Sequence, residues 1–569
     1  MDRAAMHFAA ITRAAADASP VVAPPTQASV TLADPTALRW PALTPARKPS
    51  LLSPNDLEHA TALALTEGGD ARIELGAGGV NQYGCAPRPD PALIALGSST
   101  ASVISGAGFD AASRLLARLD ARPASHRAES DRLRRELLAL SGAGEVFGTQ
   151  AVLAASGTDI HLIALTLAAG GAADYAARNG AAGDAAPPVR ALMAEPAETG
   201  SGVPAALGGR HFGAMTCRGA RVAKGAAIAD AATDPACIAL RQPDGEPRPA
   251  ADIDADFSAH AAAIVATGAR CLLVLTDLSK SGLLAPSPAC AARLAARFAG
   301  RLDVLVDACQ YRLAPATLRG YLARGFMVAI TGSKFLTGPA FSGALLLPAT
   351  VAERARGARL DGLRGYSGRA DWPGDWSAAS PLDARPNTGL LLRWEAALAE
   401  LRRFHAVPDA AIDGFLAAWG AAVADRIAHD PAFEALAVPA IDRGGLRIGT
   451  GRSGIAMSSS VDARIASSWD QRQTIFPFRV VAPDGQPLDA ARMAQLYRRM
   501  AAGDAGGASR FQLGQPVPCG TRDGIALSAL RICASARMVG DALRVPGGTA
   551  RAIDHALRAL DRLAALAAR

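Results

Sequence analysis

The chain has 569 residues, is half hydrophobic and 20% charged, and carries a formal net charge of +7. That length allows two or three domains and a large buried core, while no apolar run reaches the eighteen or so residues of a membrane span. Its arginines are interleaved with Asp and Glu instead of forming a basic stripe with aromatics, so neither nucleic acid nor membrane is an expected partner.

Residues 1–50, with Val22-Ala23-Pro24-Pro25 and prolines at 41, 45 and 49, read as an Ala/Pro-rich N-terminal arm. The start, Met1-Asp2-Arg3-Ala4-Ala5-Met6, lacks the apolar block of a secretory signal, so a cytoplasmic location is expected. Residues 51–96 form a lead-in segment with a helix from Pro54 to about Thr66, capped by Asn55 or Asp56. Ala107 to Ala139 reads as amphipathic helix broken at Pro123. Strand-length apolar runs then alternate with helical stretches: Gln150–Ala154, Val189–Ala194, Cys271–Thr276, Asp303–Val306, Met327–Thr331 and Gly343–Leu347. This alternation predicts an α/β fold with a doubly wound, mostly parallel sheet across 97–380. Gly170–Pro188 is expected to be a surface loop, and Asp252, Asp254 and Asp256 to precede and cap a helix near Phe257. Residues 381–569 predict a smaller α+β domain: helices Gly389–Phe404 and Ala410–Ala428, strands Gln473–Val481 and Leu530–Ala534, and a closing helix Ala550–Ala568.

Of 59 basic residues only four are lysine: Lys48, Lys224, Lys280 and Lys334. A lysine can lose its proton and form a Schiff base, whereas a guanidinium stays charged. Lys334 follows the apolar run Met327–Thr331, and Asp307 ends the run before it. A right-handed β-α-β unit places both strand ends on one sheet edge, where ligands of open α/β sheets bind. A lysine and an aspartate so placed form the pattern of a pyridoxal phosphate site, the aspartate keeping the pyridine nitrogen protonated. Taken singly, Asp307 could cap a helix and Lys334 could be a surface residue. Ser156-Gly157-Thr158 follows another strand and opens a helix, which suits a phosphate seat, though it equally suits a plain cap. There is no Cys-x-x-Cys pair, zinc-spaced Cys/His cluster or complete calcium loop, so no metal is expected.

With these elements in place the chain resembles the fold-type I pyridoxal-phosphate enzymes, in the style of class V aminotransferases, cysteine desulfurases and group II decarboxylases. The resemblance implies an aspartate-aminotransferase-like large domain binding pyridoxal 5'-phosphate, with a smaller C-terminal domain. Ser156-Gly157-Thr158 is similar to the family's phosphate loop. Asp307-Ala308-Cys309-Gln310 resembles its Asp-x-x-(Gln/His) element, which would set Asp307 on the pyridine nitrogen and Gln310 near the ring hydroxyl. Thr331-Gly332-Ser333-Lys334 resembles the segment of the Schiff-base lysine, with Ser333 or Thr331 on the phosphate, and Gly338 to Leu345 the glycine-rich return after it. Arg531 matches the arginine that holds a substrate carboxylate, and Pro386-Asn387-Thr388-Gly389 the segment a second subunit lends to the phosphate. A surface role for Arg531 and a helix cap at Thr388 are the competing readings. Relatives complete the site across a two-fold interface, so a homodimer is implied.

The family's ring-stacking aromatic or histidine falls near Glu195–Gly202, which holds neither; His211 and Phe212 come slightly late. Tyr83, Ser99 and Thr100 are candidate substrate contacts beside a helix-capping reading, and Cys519 is the one candidate for a desulfurase-type cysteine. The expected function is a pyridoxal-phosphate enzyme acting on an amino acid or amine substrate, foremost an aminotransferase of class V type. A lyase (carbon–sulfur lyase, desulfurase or decarboxylase) is the alternative, and a non-catalytic protein of the same fold the reading from another class.

Overall fold

The structure, a computed structural model, describes residues 53–97, 102–122, 125–178, 187–228, 232–446, 468–503 and 509–568. The expected N-terminal arm, and with it Ser99 and Thr100, lies outside these. In chain order the strands are β1 (Leu93–Ala95), β2 (Gln150–Ala154), β3 (Val189–Ala194), β4 (Ala236–Ile238), β5 (Arg270–Asp277), β6 (Leu284–Ala285), β7 (Leu302–Ala308), β8 (Met327–Thr331), β9 (Gly343–Leu347), β10 (Phe433–Ala435), β11 (Ile475–Val480), β12 (Arg510–Gln512), β13 (Gly514–Arg522) and β14 (Ile525–Cys533). Residues 51–569 form one compact unit.

The large sheet runs β2-β9-β8-β7-β5-β3-β4, with β6 beside β5. β8, β7, β5, β3 and β4 are mutually parallel, and β9 opposes both β8 and β2. Consequently β2 points the same way as the parallel group, and its C-terminal end shares their edge. All eight residues of β5 are buried, the near-continuous apolar run of a strand covered on both faces. Its side chains alternate between two cores: Leu273 and Leu275 enter one, Leu272 and Val274 the other. A second, antiparallel sheet runs β10-β11-β14-β13. β1 pairs in parallel with β12, and Leu96 accepts a bond from the Cys533 N–H, so the lead-in segment joins the C-terminal part.

Most helices fall where periodicity places them, including Gly106–Ala121 and His126–Leu140 on either side of Pro123. Three expectations are corrected. The first helix, Pro54–Ala64, is capped by Ser53 and not by Asn55 or Asp56. Helix Gly157–Arg178 continues into the stretch read as a loop; alanines on both sides outweigh the cost of about 1 kcal/mol for each interior glycine. Helix Ala250–Ala266 begins ahead of the three aspartates rather than after them. Asp254 accepts bonds from the Ser287 N–H and hydroxyl, and Asp256 pairs with Arg248, so both act in tertiary contacts and not as caps.

Candidate active site

The C-terminal ends of β2, β5, β7 and β8 open on one cleft of ≈ 850 Å³, counting space open to solvent. Ser156, Gly157, Thr158, Asp307, Ser333, Lys334 and Tyr83 all line it, as the sequence expects. Asp307 sits on β7 opposite Thr276 of β5 and Ala329 of β8, and Lys334 lies three residues beyond β8. The turn carrying Lys334 packs tightly: a Cβ at Gly338 would lie 2.7 Å from the Ala397 methyl of helix Thr388–His405. Only glycine allows that approach.

His161, which sequence reasoning passed over, backs Asp307. It lies one turn into the helix that begins at Gly157, and its Nδ1 donates to the Gly157 carbonyl at 2.7 Å. That bond turns Nε2 toward Asp307 Oδ2, 3.3 Å away, while Asp307 Oδ1 accepts from the Cys309 N–H at 3.1 Å. Burial works against ionisation of Asp307, but the His161 ring and the Lys334 ammonium outweigh it and hold the carboxyl below the usual range. An ionised carboxylate at this edge can keep a ring nitrogen protonated.

One end of the cleft is a helix N-terminus. Ser156 Oγ accepts from the Asp159 N–H at 3.3 Å and also bonds the Asp159 carboxyl. Burial pushes Asp159 up to about 7, so below that pH it adds no negative charge beside an anion. Arg72, a second residue the sequence did not reveal, enters from the lead-in segment. It pairs with Asp70, sits 3.4 Å from Ser156 Oγ and lies 5.0 Å from the centre of the Phe341 ring. Buried Arg393 ties this strap down, donating to the carbonyls of Leu65, Glu67, Gly68 and Phe341.

Other assignments change. Thr331 Oγ1 donates to the Cys309 carbonyl at 2.7 Å, so its hydroxyl proton is not free to meet an anion. Neither His211 nor Phe212 lines the cleft; His211 Nδ1 meets Tyr366 Oη at 2.5 Å and Phe212 packs on the same ring. Thr199, Gly200, Ser201 and Val203 border the cavity where a stacking ring was sought. Thr388 does not line this cleft, and the helix it opens is capped by Asn387. Cys519 lies buried on β13 among Leu436, Val517, Leu527 and Ala529, where burial pushes its thiol up.

At the end away from Ser156 the cleft continues into a second compartment, lined by Asp307, Gln310, Lys334, Lys280 and Arg531. Arg531 is on β14 as expected and 3% exposed, but its guanidinium is committed to main-chain carbonyls, Nη1 to Lys280 and Nη2 to Gln515. Glu198 anchors this end. It accepts from Arg241 Nε, from the Ser279 hydroxyl, and from both the N–H and hydroxyl of Ser281. Burial opposes its charge, yet Arg241 and the serines outweigh burial and hold it low.

Among the described residues no cluster of His, Cys, Asp and Glu could hold a metal ion. The set present does fit pyridoxal phosphate: an amine, an ionised carboxylate and an anion seat on one edge, with Gly157 bare where a Cβ would lie 3.1 Å from Cys309 Sγ.

No protein-family model and no curated protein matches this chain. Several solved structures do. Mouse CSAD is 16% identical, with 84% of this chain and 85% of that chain covered and a TM-score of 0.48. Oryza sativa TDC with PLP is 16% identical over 98% of this chain and 96% of that one, at a TM-score of 0.47. Catharanthus roseus tryptophan decarboxylase in complex with L-tryptophan is 14% identical over 85% of each chain, at 0.45.

Proposed function

We propose that this chain is a pyridoxal-phosphate-dependent enzyme that acts at the α-carbon of an amino acid, as a decarboxylating lyase. One observation carries the reading: Lys334, Asp307 and the N-terminus of helix Gly157–Arg178 converge on a single cleft. The cofactor, when bound, supplies an electron sink for the bonds of the α-carbon. Lys334 is the amine that would hold its aldehyde, and afterwards the nearest group able to move a proton at the α-carbon. Ser156, Ser333 and the free N–H groups of the helix N-terminus would hold the phosphate, and Arg72 lends them positive charge. Asp307 would hold the proton on the ring nitrogen, His161 fixes that carboxylate in place, and Gln310 would sit near the ring hydroxyl.

The choice between reaction types rests on Arg531 and Cys519. A free arginine clamp at Arg531 would favour transamination, in which the substrate carboxylate survives the reaction. The bonds from Arg531 to the carbonyls of Lys280 and Gln515 weaken that argument. Burial of Cys519 away from the cleft weakens sulfur transfer. Loss of the α-carboxylate is favoured where that group is left unclamped. A two-fold homodimer is part of the same reading, to be tested by light scattering. Purified protein loaded with pyridoxal phosphate should show a visible band that borohydride bleaches, leaving an adduct on the Lys334 peptide. Given a panel of amino acids, it should release carbon dioxide and the matching amine. Accumulation of a keto acid with loss of the band would return the assignment to transamination.

A further inference from the structure

Two of the four lysines, Lys280 and Lys334, face the same cleft. Lys280 follows β5, whose end lies beside that of β7 through the Thr276–Asp307 pairing. Its main chain is clamped on both sides: its N–H donates to the Glu198 carbonyl at 2.9 Å, and its carbonyl accepts Arg531 Nη1 at 3.1 Å. The neighbouring carboxylate, Glu198, takes its bonds from Arg241, Ser279 and Ser281 instead of the Lys280 ammonium. Asp307 is likewise engaged by His161 and the Cys309 N–H. Burial, and then the positive charge of Arg531, pull Lys280 down to about 8. The result is an ammonium on a fixed main chain, in no ion pair among the described residues, that lines both the main cleft and the second compartment with Lys334 and Asp307.

We propose that Lys280 seats a second acid group of the substrate, so that the substrate class is an amino acid with a side-chain carboxylate. The proposal rests on the decarboxylase reading. A fixed ammonium against the carboxylate that leaves would stabilise the ground state and slow its loss; the anion held at Lys280 is therefore the one that stays. Lys280 meets Lys334 and Asp307 again in the second compartment, which none of Ser156, Thr158 and Ser333 lines, so an acidic side chain seated there lies apart from the residues that would hold the phosphate.

The test uses full-length protein loaded with pyridoxal phosphate, as wild type, Lys280→Gln and Lys280→Arg. Calorimetry measures binding of glutarate, with glutaramide, the neutral diamide of the same length, as the matched control. Wild type should prefer glutarate by about 10- to 100-fold, the range of one charge-assisted bond. Lys280→Gln should lose that preference, Lys280→Arg should keep most of it, and all three should show the same visible band with the borohydride adduct on Lys334. Equal glutarate binding by wild type and Lys280→Gln, or no preference in wild type, overturns the seat. Failure of Lys280→Gln alone to take up cofactor also overturns it, because Lys280 would then belong to the cofactor. A wild type that takes up no cofactor, or that traps it on Lys280, instead sinks the parent reading and this one with it.

Discussion

At the phosphate end of the cleft, four consecutive residues from Ser156 to Asp159 supply a hydroxyl, a bare glycine, a helix N-terminus and a protonatable acid. At the opposite end, Glu198, Lys280, Gln310, Gln515 and Arg531 arrive from separate elements and are held by bonds that cross the fold. The first is a local device that works wherever a strand feeds a helix. The second exists only once β5, β7 and β14 are in place. Binding of an anion common to many substrates can rest on the first kind; discrimination between substrates needs the second.

Both ends converge on Lys334, and its loss should have the largest effect. Lys334→Ala should abolish the visible band and lower turnover by roughly 10²–10⁴-fold; a variant that keeps both would remove the point at which the ends meet. At the substrate end, Glu198→Ala strips the partner from buried Arg241 and should cost about 3–5 kcal/mol of stability. Denaturant melts should show this, and the same variant should bind glutarate weakly while it still takes up pyridoxal phosphate. If cofactor uptake and glutarate binding fall together, the two ends are one unit.

At the phosphate end the test is pH. The folded pKa of Asp159, about 7, lies above its unfolded value of 3.8, so the folded state holds a proton that the unfolded chain releases between those values. Stability from this group is therefore lost as pH rises from about 4 to 7, by at most roughly 4 kcal/mol. Asp159→Asn should match wild type near pH 4 and exceed it increasingly up to pH 7 in thermal melts. A constant offset across that window would refute the protonated acid. The smallest effect is Ser156→Ala, expected to weaken pyridoxal phosphate binding by about 10-fold. Pyridoxal, which lacks the phosphate, should bind both proteins alike.

What the sequence disclosed follows the same division. The strand bounds of β2, β3, β8 and β9 agree with the apolar runs residue for residue, because strands covered on both faces are continuous in hydrophobicity. Ser156-Gly157-Thr158, Asp307 and Lys334 were legible since each ends or follows such a run. His161 was within reach: it is four residues past Gly157, hence on the same helix face. Lys280 met the scarcity argument as fully as Lys334 did and also follows a strand. Arg72 carried no signal, because its place depends on Arg393, more than 300 positions along the chain. The carbonyl partners of Arg531 were invisible for the same reason: main-chain acceptors leave no mark in side-chain identity.

Arg393 also bears on the order in which the molecule is made. Its bonds to Leu65, Glu67 and Gly68 span 328, 326 and 325 residues. During synthesis the strap that carries Arg72 and Tyr83 leaves the ribosome early, yet its Arg393 anchor is missing until helix Thr388–His405 has followed. At about 5–20 residues per second that wait lasts on the order of 16–65 seconds. The β-α-β core can close in the meantime through nearer contacts, so the strap docks onto a sheet already formed. The wall of the cleft is thus among the first parts translated and among the last to settle, and pulsed hydrogen exchange during refolding should find its amides protected after those of β5 and β7.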